Sequence, residues 1–498
     1  MGNKENPHVL VVGGGPAGST AAALLARSGV QVTLLERDTF PRYHIGESLL
    51  ASCLSTLRIS GAYDKVAAHG FQIKRGGYFQ WQHDTWLLDW DKLVDAEAWS
   101  WQVERAEFDD LLLRNASDQG ARVIEQARVT NIVFDGERPT AADWVKAGDD
   151  TVHTLEFDFL VDATGRDGLL AKHFGMRRQH PAFRNVAVWS YWKGAHLHPD
   201  SPEGAINVAS TEEGGWFWNI PLSDGRNSVG YVVSAKLAAE RLRGHDSRQS
   251  YYLDTIAASR PMTEMLQGAE QVAEVKAEQD YSYVADRFCG PGYALVGDAA
   301  CFLDPLLSTG VHLATYSGLV SAAAIATTLR GEMSEPDALA YYEYTYRRAY
   351  TRFLSLVSRM YEHYVGSEEY FAHAHKLTEV YRGDSPEQSF TRIMAGLTDV
   401  GETAGTQERT GTEVIASEAE RLHTEPDADG VNIKYMGGLD MSPVWDHWRD
   451  PLVDTDMGEL RITTEPVFGL TTRPRSDAER EAVSRPVLPP RHGAGAAH

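Results

Sequence analysis

Six consecutive residues, Gly13-Gly14-Gly15-Pro16-Ala17-Gly18, put glycines at 13, 15 and 18, and Glu36 stands eighteen residues after the last of them. That register can hold a dinucleotide. The first glycine permits a tight turn and the second lets backbone amides approach a pyrophosphate at a helix N-terminus; the third lets the helix pack close to its strand. Pro16 and Ala17 lie between the second and third of these glycines, and Glu36 can accept from ribose hydroxyls. Arg105, in Val103-Glu-Arg-Ala-Glu-Phe-Asp109, can set a fixed positive charge against a phosphate or stand exposed at a helix start. Asp298, after the apolar run Tyr293–Val296, can accept from sugar hydroxyls and cap a helix at once. Thr309 and Gly310 precede a long apolar helix, where unpaired amides and the helix dipole attract an anion; as residue types alone they are an ordinary cap. Lys74, in Gln-Ile-Lys-Arg-Gly-Gly, reads by type as a surface charge, and Trp216 and Trp218 read as packing at a strand end.

Elements of recognisable period must position these groups. His8–Val12 is a short continuous apolar run, as in a strand buried on both faces, then a helix over Ser19–Ser28 and a second parallel strand over Gln31–Glu36. Glu104–Gln119 reads as a helix, Phe157–Ala163 and Tyr293–Val296 as further buried strands, so the dinucleotide lobe is discontinuous. Segments 70–102 and 180–235 alternate apolar residues with Trp and Tyr, and ten of the twelve tryptophans lie between Trp81 and Trp218. This predicts a sheet with one aromatic face, which serves either core packing or a pocket for a flat ligand. The fold class is α/β (α+β). We expect a Rossmann-type lobe from 1–70, 103–178 and 285–335, and a sheet lobe from 71–102 and 179–284. A helical and irregular C-terminal region over 336–470 and a disordered tail over 471–498 complete the division.

The 498 residues include 47 Lys+Arg against 70 Asp+Glu, a formal charge of −23, which argues against nucleic acid or an anionic membrane as partner. Between 401 and 470 there are 15 acids and 5 bases. Three cysteines, Cys53, Cys289 and Cys301, form no CxxC, which excludes a disulfide scaffold and a cysteine zinc site and suits a reducing compartment. His373 and His375 are two apart, a poor spacing for one helix face, so no metal is expected. The apolar window Gly310–Leu329 is interrupted by His312, Thr315 and Tyr316 and fits a buried helix better than a membrane span. With no apolar leader segment, the expectation is a soluble, cytoplasmic protein.

Val11-Val-Gly-Gly-Gly-Pro-Ala-Gly18, Asp162-Ala-Thr-Gly-Arg166 and Gly297-Asp298 together resemble the FAD-dependent monooxygenase superfamily, with its GR2-type FAD-binding domain. Within it, Phe40-Pro-Arg-Tyr-His-Ile-Gly-Glu-Ser48, Lys74, Trp216-Phe-Trp-Asn-Ile-Pro221 and Asp304-Pro-Leu-Leu-Ser-Thr-Gly310 look like flavin-dependent halogenases, over roughly residues 7–370. The WxWxIP pattern is the most discriminating element. The resemblance implies FAD held by Gly13, Gly15, Pro16, Ala17, Gly18, Glu36, Arg105 and Asp298, and chloride held by Thr309 and Gly310. It implies FADH2 from a separate flavin reductase and reaction with O2 to a flavin C4a-hydroperoxide that chloride attacks. The hypochlorous acid then passes to a catalytic Lys74, which either hydrogen-bonds it or forms a chloramine, while Trp216 and Trp218 wall substrate from flavin.

Free-tryptophan halogenases carry a glutamate directly before Ser-Thr-Gly, where this chain has Leu307. A phenol already pushes charge onto its ortho and para carbons, so this favours a phenolic, polyketide-type hydroxybenzoate substrate. By likeness it would be tethered to an acyl or peptidyl carrier protein, in antibiotic-type secondary metabolism. A carrier is itself acidic and would need a local basic patch; Arg347, Arg348, Arg352 and Arg359 on one helix are the candidate. The alternatives are a single-component NAD(P)H aromatic hydroxylase, a prenyl-chain reductase and a non-catalytic flavin-binding scaffold. His44 and Glu47 sit in the flavin-adjacent motif without an assigned role.

Overall fold

The computed structural model describes residues 7–94, 98–361, 366–378, 384–406, 409, 414–418 and 460–472. His8–Val12 lies inside a six-stranded sheet, paired in parallel with Gln31–Leu35 on one side and Phe159–Asp162 on the other. Arg122–Ile124 flanks one edge; Tyr293–Leu295 and then Cys289–Gly290 flank the other. Val9, Leu10 and Val11 are fully buried, which is why their run carries no polar alternation.

The helix Pro16–Arg27 crosses from His8–Val12 to Gln31–Leu35. It packs against the helix Gly310–Leu329, which is buried over nearly its whole length. Small residues make that burial possible: a Cβ at Gly318 would sit 2.7 Å from the Ala17 carbonyl oxygen, so the two backbones approach directly. The apolar window 310–329 is thus a central helix. No helix among the described residues is long and apolar enough to cross a membrane.

The second layer is a nine-stranded sheet. In order it runs Cys301–Phe302, Lys276–Ala285, Arg177–Lys193, Arg226–Ser234, Trp216–Pro221, Ile206–Ser210, Gly76–Trp81 and Asp84–Asp89, with Glu270–Gln271 beside Arg177–Lys193. Cys301–Phe302, from the stretch read with the dinucleotide lobe, joins this sheet through Lys276–Ala285. Gln72–Lys74 and Ser100–Gln102 form a separate two-stranded ladder with Lys74 opposite Ser100.

The C-terminal region packs on the central helix. Glu335–Tyr361 is one long helix, followed by Ser367–Thr378, Pro386–Met394 and Leu397–Thr403. Here the structure corrects the proposed basic patch. Arg347, Arg348 and Arg352 are buried at 1%, 2% and 0% exposure, inside the protein. Arg348 grips Glu402 with two hydrogen bonds of 2.8 and 3.0 Å, and Arg352 donates to Glu402 at 2.8 Å and pairs with Asp399. Arg347 pairs with Glu343 at 2.7 Å, and Arg359 lies 3.7 Å from Glu418. Arg348 and Arg352 share a face because they are four apart, and that face meets Leu397–Thr403 rather than solvent. The tail expected from 471 also needs correction at its first residue. Thr471 pairs with Arg461 in a ladder between Gly469–Thr471 and Arg461–Thr463; the rest of that tail and most of the acidic segment 401–470 lie outside the described residues.

Candidate active site

A cavity of about 790 Å³ opens between the two sheets, from the glycine turn to the start of the central helix. At one end Gly13 has φ +106°, and a Cβ there would meet the Ala163 carbonyl oxygen at 2.2 Å. A Cβ at Gly18 would lie 1.9 Å from the Gly13 oxygen. Only glycine fits either position. Gly15 is the N-cap of Pro16–Arg27 without a side-chain cap, so the first amides of the helix are left for a ligand. Glu36 is 5% exposed and accepts from Gly14 N at 2.6 Å and Asp38 N at 2.8 Å, which fixes its carboxylate on the cavity wall.

Arg105 and Asp298 come to the same cavity from distant sequence. Arg105 holds Asp109 at 2.8 and 3.0 Å and donates to the carbonyls of Ile45 and Gly46. Its charge is therefore already neutralised by a buried partner, and it fixes the 45–46 backbone. Burial pushes the Asp298 carboxyl up to about 6, against the pull of Arg166, Arg105 and Arg177. Burial pushes His44, also on the wall, down to about 4, so it is neutral at physiological pH.

At the far end Ser308 has φ +56° and Thr309 begins the central helix without a side-chain cap. Thr309 is fully buried and its Oγ1 has no hydrogen-bond partner, while Gly310 is open to the cavity with nothing within 4 Å of a Cβ. Leu307 is 1% exposed in the apolar core. Trp216 and Trp218 line the cavity with ring centroids 6.0 Å apart. Trp216 Nε1 donates to Tyr361 OH at 2.7 Å, and Tyr361 OH donates to Asp304 at 3.0 Å. Trp218 Nε1 donates to Ser228 Oγ at 3.1 Å, and its ring covers Gly230, where a Cβ would be 2.1 Å away.

Lys74 lies behind Ser48, one hydrogen bond from the cavity lining. It is 2% exposed, its Nζ donates to Ser48 Oγ at 2.8 Å and Leu49 O at 2.9 Å, and it sits 5.0 Å from the Trp90 ring centroid. Ser48 faces the cavity. Among the described residues no carboxylate pairs with this ammonium, so burial lowers it to about 7. The surface reading by residue type is thereby replaced by its opposite.

Glu47 lacked a role in the sequence and proves central to the wall. Its carboxyl is 3% exposed, accepts from Tyr191 OH at 2.7 Å, and is pushed up to about 7 by burial. The available signal was an acid between Gly46 and Ser48 in the motif; its tyrosine partner is 144 residues away. Among the described residues no three His, Cys, Asp or Glu side chains are grouped to hold a metal.

The glycine turn, the exposed helix start and the continuous cavity fit an FAD-sized ligand, and the two packed sheets define an FAD-dependent oxidoreductase. Comparison with known proteins narrows this. The family model described as tryptophan halogenase matches residues 8–94 and 87–395, and the chain belongs to this family of flavin-dependent halogenases. It is 41% identical to a tryptophan 2-halogenase of Chondromyces crocatus, over 97% of both chains. It is 38% identical to the sulochrin halogenase gedL of Aspergillus terreus, over 70% of this chain and 68% of that one. Among solved structures, the myxobacterial chondrochloren halogenase CndH matches at 36% identity and TM-score 0.69, covering 85% of this chain and 99% of its own. The cofactor is FAD, with halide and O2 as the other requirements. Membership sets aside the hydroxylase, prenyl reductase and scaffold alternatives.

One consequence is directly measurable. Gly18→Ala forces a Cβ into the Gly13 oxygen, and the overpacking costs about 1–3 kcal/mol. The expected result is at least a tenfold weaker FAD affinity by flavin fluorescence titration, with a lowered apo Tm.

Proposed function

We propose that this halogenase chlorinates a phenolic ring, with Lys74 delivering the halogen and reduced FAD supplied by a separate flavin reductase. The observation that carries the reading is Lys74 itself: a buried amine, held by two neutral oxygens one hydrogen bond behind the cavity wall. Gly13 through Gly18, Glu36 and Asp298 would hold FAD, with Arg105 fixing the neighbouring backbone. Bound reduced flavin supplies the electrons that let dioxygen oxidise the halide. Thr309 and Gly310 would seat that halide at the helix start. Trp216 and Trp218, locked by Tyr361 and Ser228, would keep the organic ring apart from the flavin and exclude water.

The neutral amine of Lys74, present in quantity near pH 7, accepts chlorine from hypochlorous acid: an N–Cl bond forms, the O–Cl bond breaks, and the amine proton leaves with the hydroxide as water. A positioned ring then takes the chlorine: a C–Cl bond forms, the N–Cl bond breaks, and the ring proton replaces the chlorine on nitrogen, restoring the Lys74 amine. Leu307 supports a phenol, because the position before Ser308 offers no carboxylate to draw the ring proton, so the ring must supply its own activation. The 41% identity to a tryptophan 2-halogenase favours tryptophan as the second reading. Carrier tethering has lost most of its proposed dock, since Arg347, Arg348 and Arg352 are buried against carboxylates, and it stands as an arm of the test.

The test supplies reduced FAD, O2 and chloride with free phenolic acids, their carrier thioesters, or tryptophan, and looks for a chlorine isotope pattern by mass spectrometry. Product from phenols is expected; product from tryptophan alone would overturn the substrate class. Thr309→Val removes the orphaned hydroxyl without changing volume much. It is expected to raise the chloride KM about 3- to 10-fold, the scale of one hydrogen bond, with FAD affinity unchanged.

A further inference from the structure

Oxidation of one halide consumes a proton. Dioxygen, the two electrons and two protons of FADH2, one halide ion and one further proton give FAD, hypohalous acid and one water. Dioxygen takes two electrons from the flavin and two from the halide. The extra proton must reach the inner end of the cavity, where the wall at Glu47 and Ser48 is buried.

A chain of donors leads there. Trp189 Nε1 donates to Tyr43 OH at 2.8 Å, Tyr43 OH and Tyr191 OH are 3.1 Å apart, and Tyr191 OH donates to Glu47 Oε1 at 2.7 Å. Because Trp189 can only donate, the Tyr43 hydroxyl is free to point its proton at Tyr191, and Tyr191 points its own at Glu47. Every proton in the chain is directed inward. Tyr43 is 47% exposed, with Lys276 Nζ 3.9 Å from its ring centroid, whereas Glu47 is 3% exposed beside Ser48. Both line the cavity, and Glu47 Oε2 has no hydrogen-bond partner.

We propose that Tyr43, Tyr191 and Glu47 form a proton path along the cavity wall, from its exposed rim to its floor, that supplies the proton each halide oxidation consumes. Glu47 gives up the proton on Oε2 to the reacting oxygen, and its Oε1 takes the Tyr191 proton. Tyr191 takes the Tyr43 proton, and solvent at the rim reprotonates Tyr43. The hops are concerted: burial raises both phenols, so neither waits as a phenolate. Glu47 is faced by Tyr191 and Ser228 from the sheet and by Arg105 and Glu104 from the helix start, and its burial keeps the carboxyl half protonated near pH 7. The proposal rests on the halogenase activity and is independent of the aromatic substrate.

The full-length protein, loaded with chemically reduced FAD, is mixed with O2 and chloride. Proton uptake is followed with an indicator dye, and hypochlorous acid is trapped by a 1,3-diketone scavenger, so failure of the phenolic reading leaves this assay intact. Glu47→Gln and Tyr191→Phe are expected to slow chloride-dependent proton uptake about 10- to 100-fold while binding FAD as wild type. The solvent deuterium isotope effect should rise in Tyr191→Phe. Tyr43→Phe, at the rim, should slow uptake severalfold, and imidazolium buffer should restore it. Above pH 7 the wild-type rate should fall as Glu47 deprotonates, and Glu47→Gln should lack that limb. Unchanged uptake and isotope effect in FAD-loaded Tyr43→Phe and Tyr191→Phe would overturn the proposal. So would loss of FAD binding in Glu47→Gln and Tyr191→Phe alike, which would make the cluster part of the cofactor cradle.

Discussion

Lys74→Met is expected to lower single-turnover chlorination about 10³-fold or more while FAD affinity stays within twofold, read by product mass spectrometry and flavin fluorescence. The same change should make the apo protein more stable. Lys74 titrates at about 7 in the fold, because burial opposes its charge, against an ordinary 10.5 in the unfolded chain. Below pH 7 both states hold the proton, and the fold bears the full desolvation cost, at most on the order of 5 kcal/mol. Between pH 7 and 10.5 the unfolded state binds more protons, so wild-type stability rises with pH in that window. Lys74→Met removes both the cost and the slope. Lys74→Arg separates the chemical alternatives. A guanidinium donates hydrogen bonds but stays charged, so an N–Cl role predicts an inactive variant and a hydrogen-bonding role predicts partial activity. Full chlorination by FAD-loaded Lys74→Met would remove Lys74 from the mechanism.

Glu402→Ala carries the largest expected stability effect. Glu402 is 5% exposed between Arg348 and Arg352, and its removal takes from two buried guanidinium groups the carboxylate they share, while Arg352 keeps its pair with Asp399. Breaking such a pair costs about 3–5 kcal/mol, read as a fall in the urea midpoint at constant m-value. The pH dependence has a definite sign. Burial alone would push Glu402 up, but Arg348 and Arg352 overcome it and hold the carboxyl at about 2, against 4.5 unfolded. Its contribution is complete above pH 4.5 and is lost as pH falls from there through 2, so Glu402→Gln should flatten that part of the acid limb. The damage should reach the site as well. Asp399, paired with Arg352, accepts from His312 Nε2 at 3.1 Å, and His312 Nδ1 meets Ser52 Oγ at 2.7 Å. His312 is two residues beyond Gly310, so loosening the cluster should raise the chloride KM. An unchanged urea midpoint in Glu402→Ala would mean that the network contributes nothing net.

Much of this was readable in the chain because the information is local. Gly13, Gly15, Gly18 and Glu36 belong to one strand–turn–helix–strand unit, where spacing and apolar runs report the backbone directly. The Trp216–Pro221 strand and the central helix likewise declare themselves by composition. The sequence by itself therefore determined the dinucleotide lobe, the aromatic sheet and the family motifs. Only the tertiary structure decided what the charged residues do. Arg348 and Arg352 read as a solvent-facing patch because arginines usually are exposed, and their acidic partners lie 47 to 54 residues onward. Lys74 turned from a surface charge into a buried amine, and Glu47 gained Tyr191, 144 residues away. The reason is physical: backbone geometry follows from neighbours in sequence. The charge state of a side chain follows from its desolvation and its partners, and those are brought together only when distant segments pack.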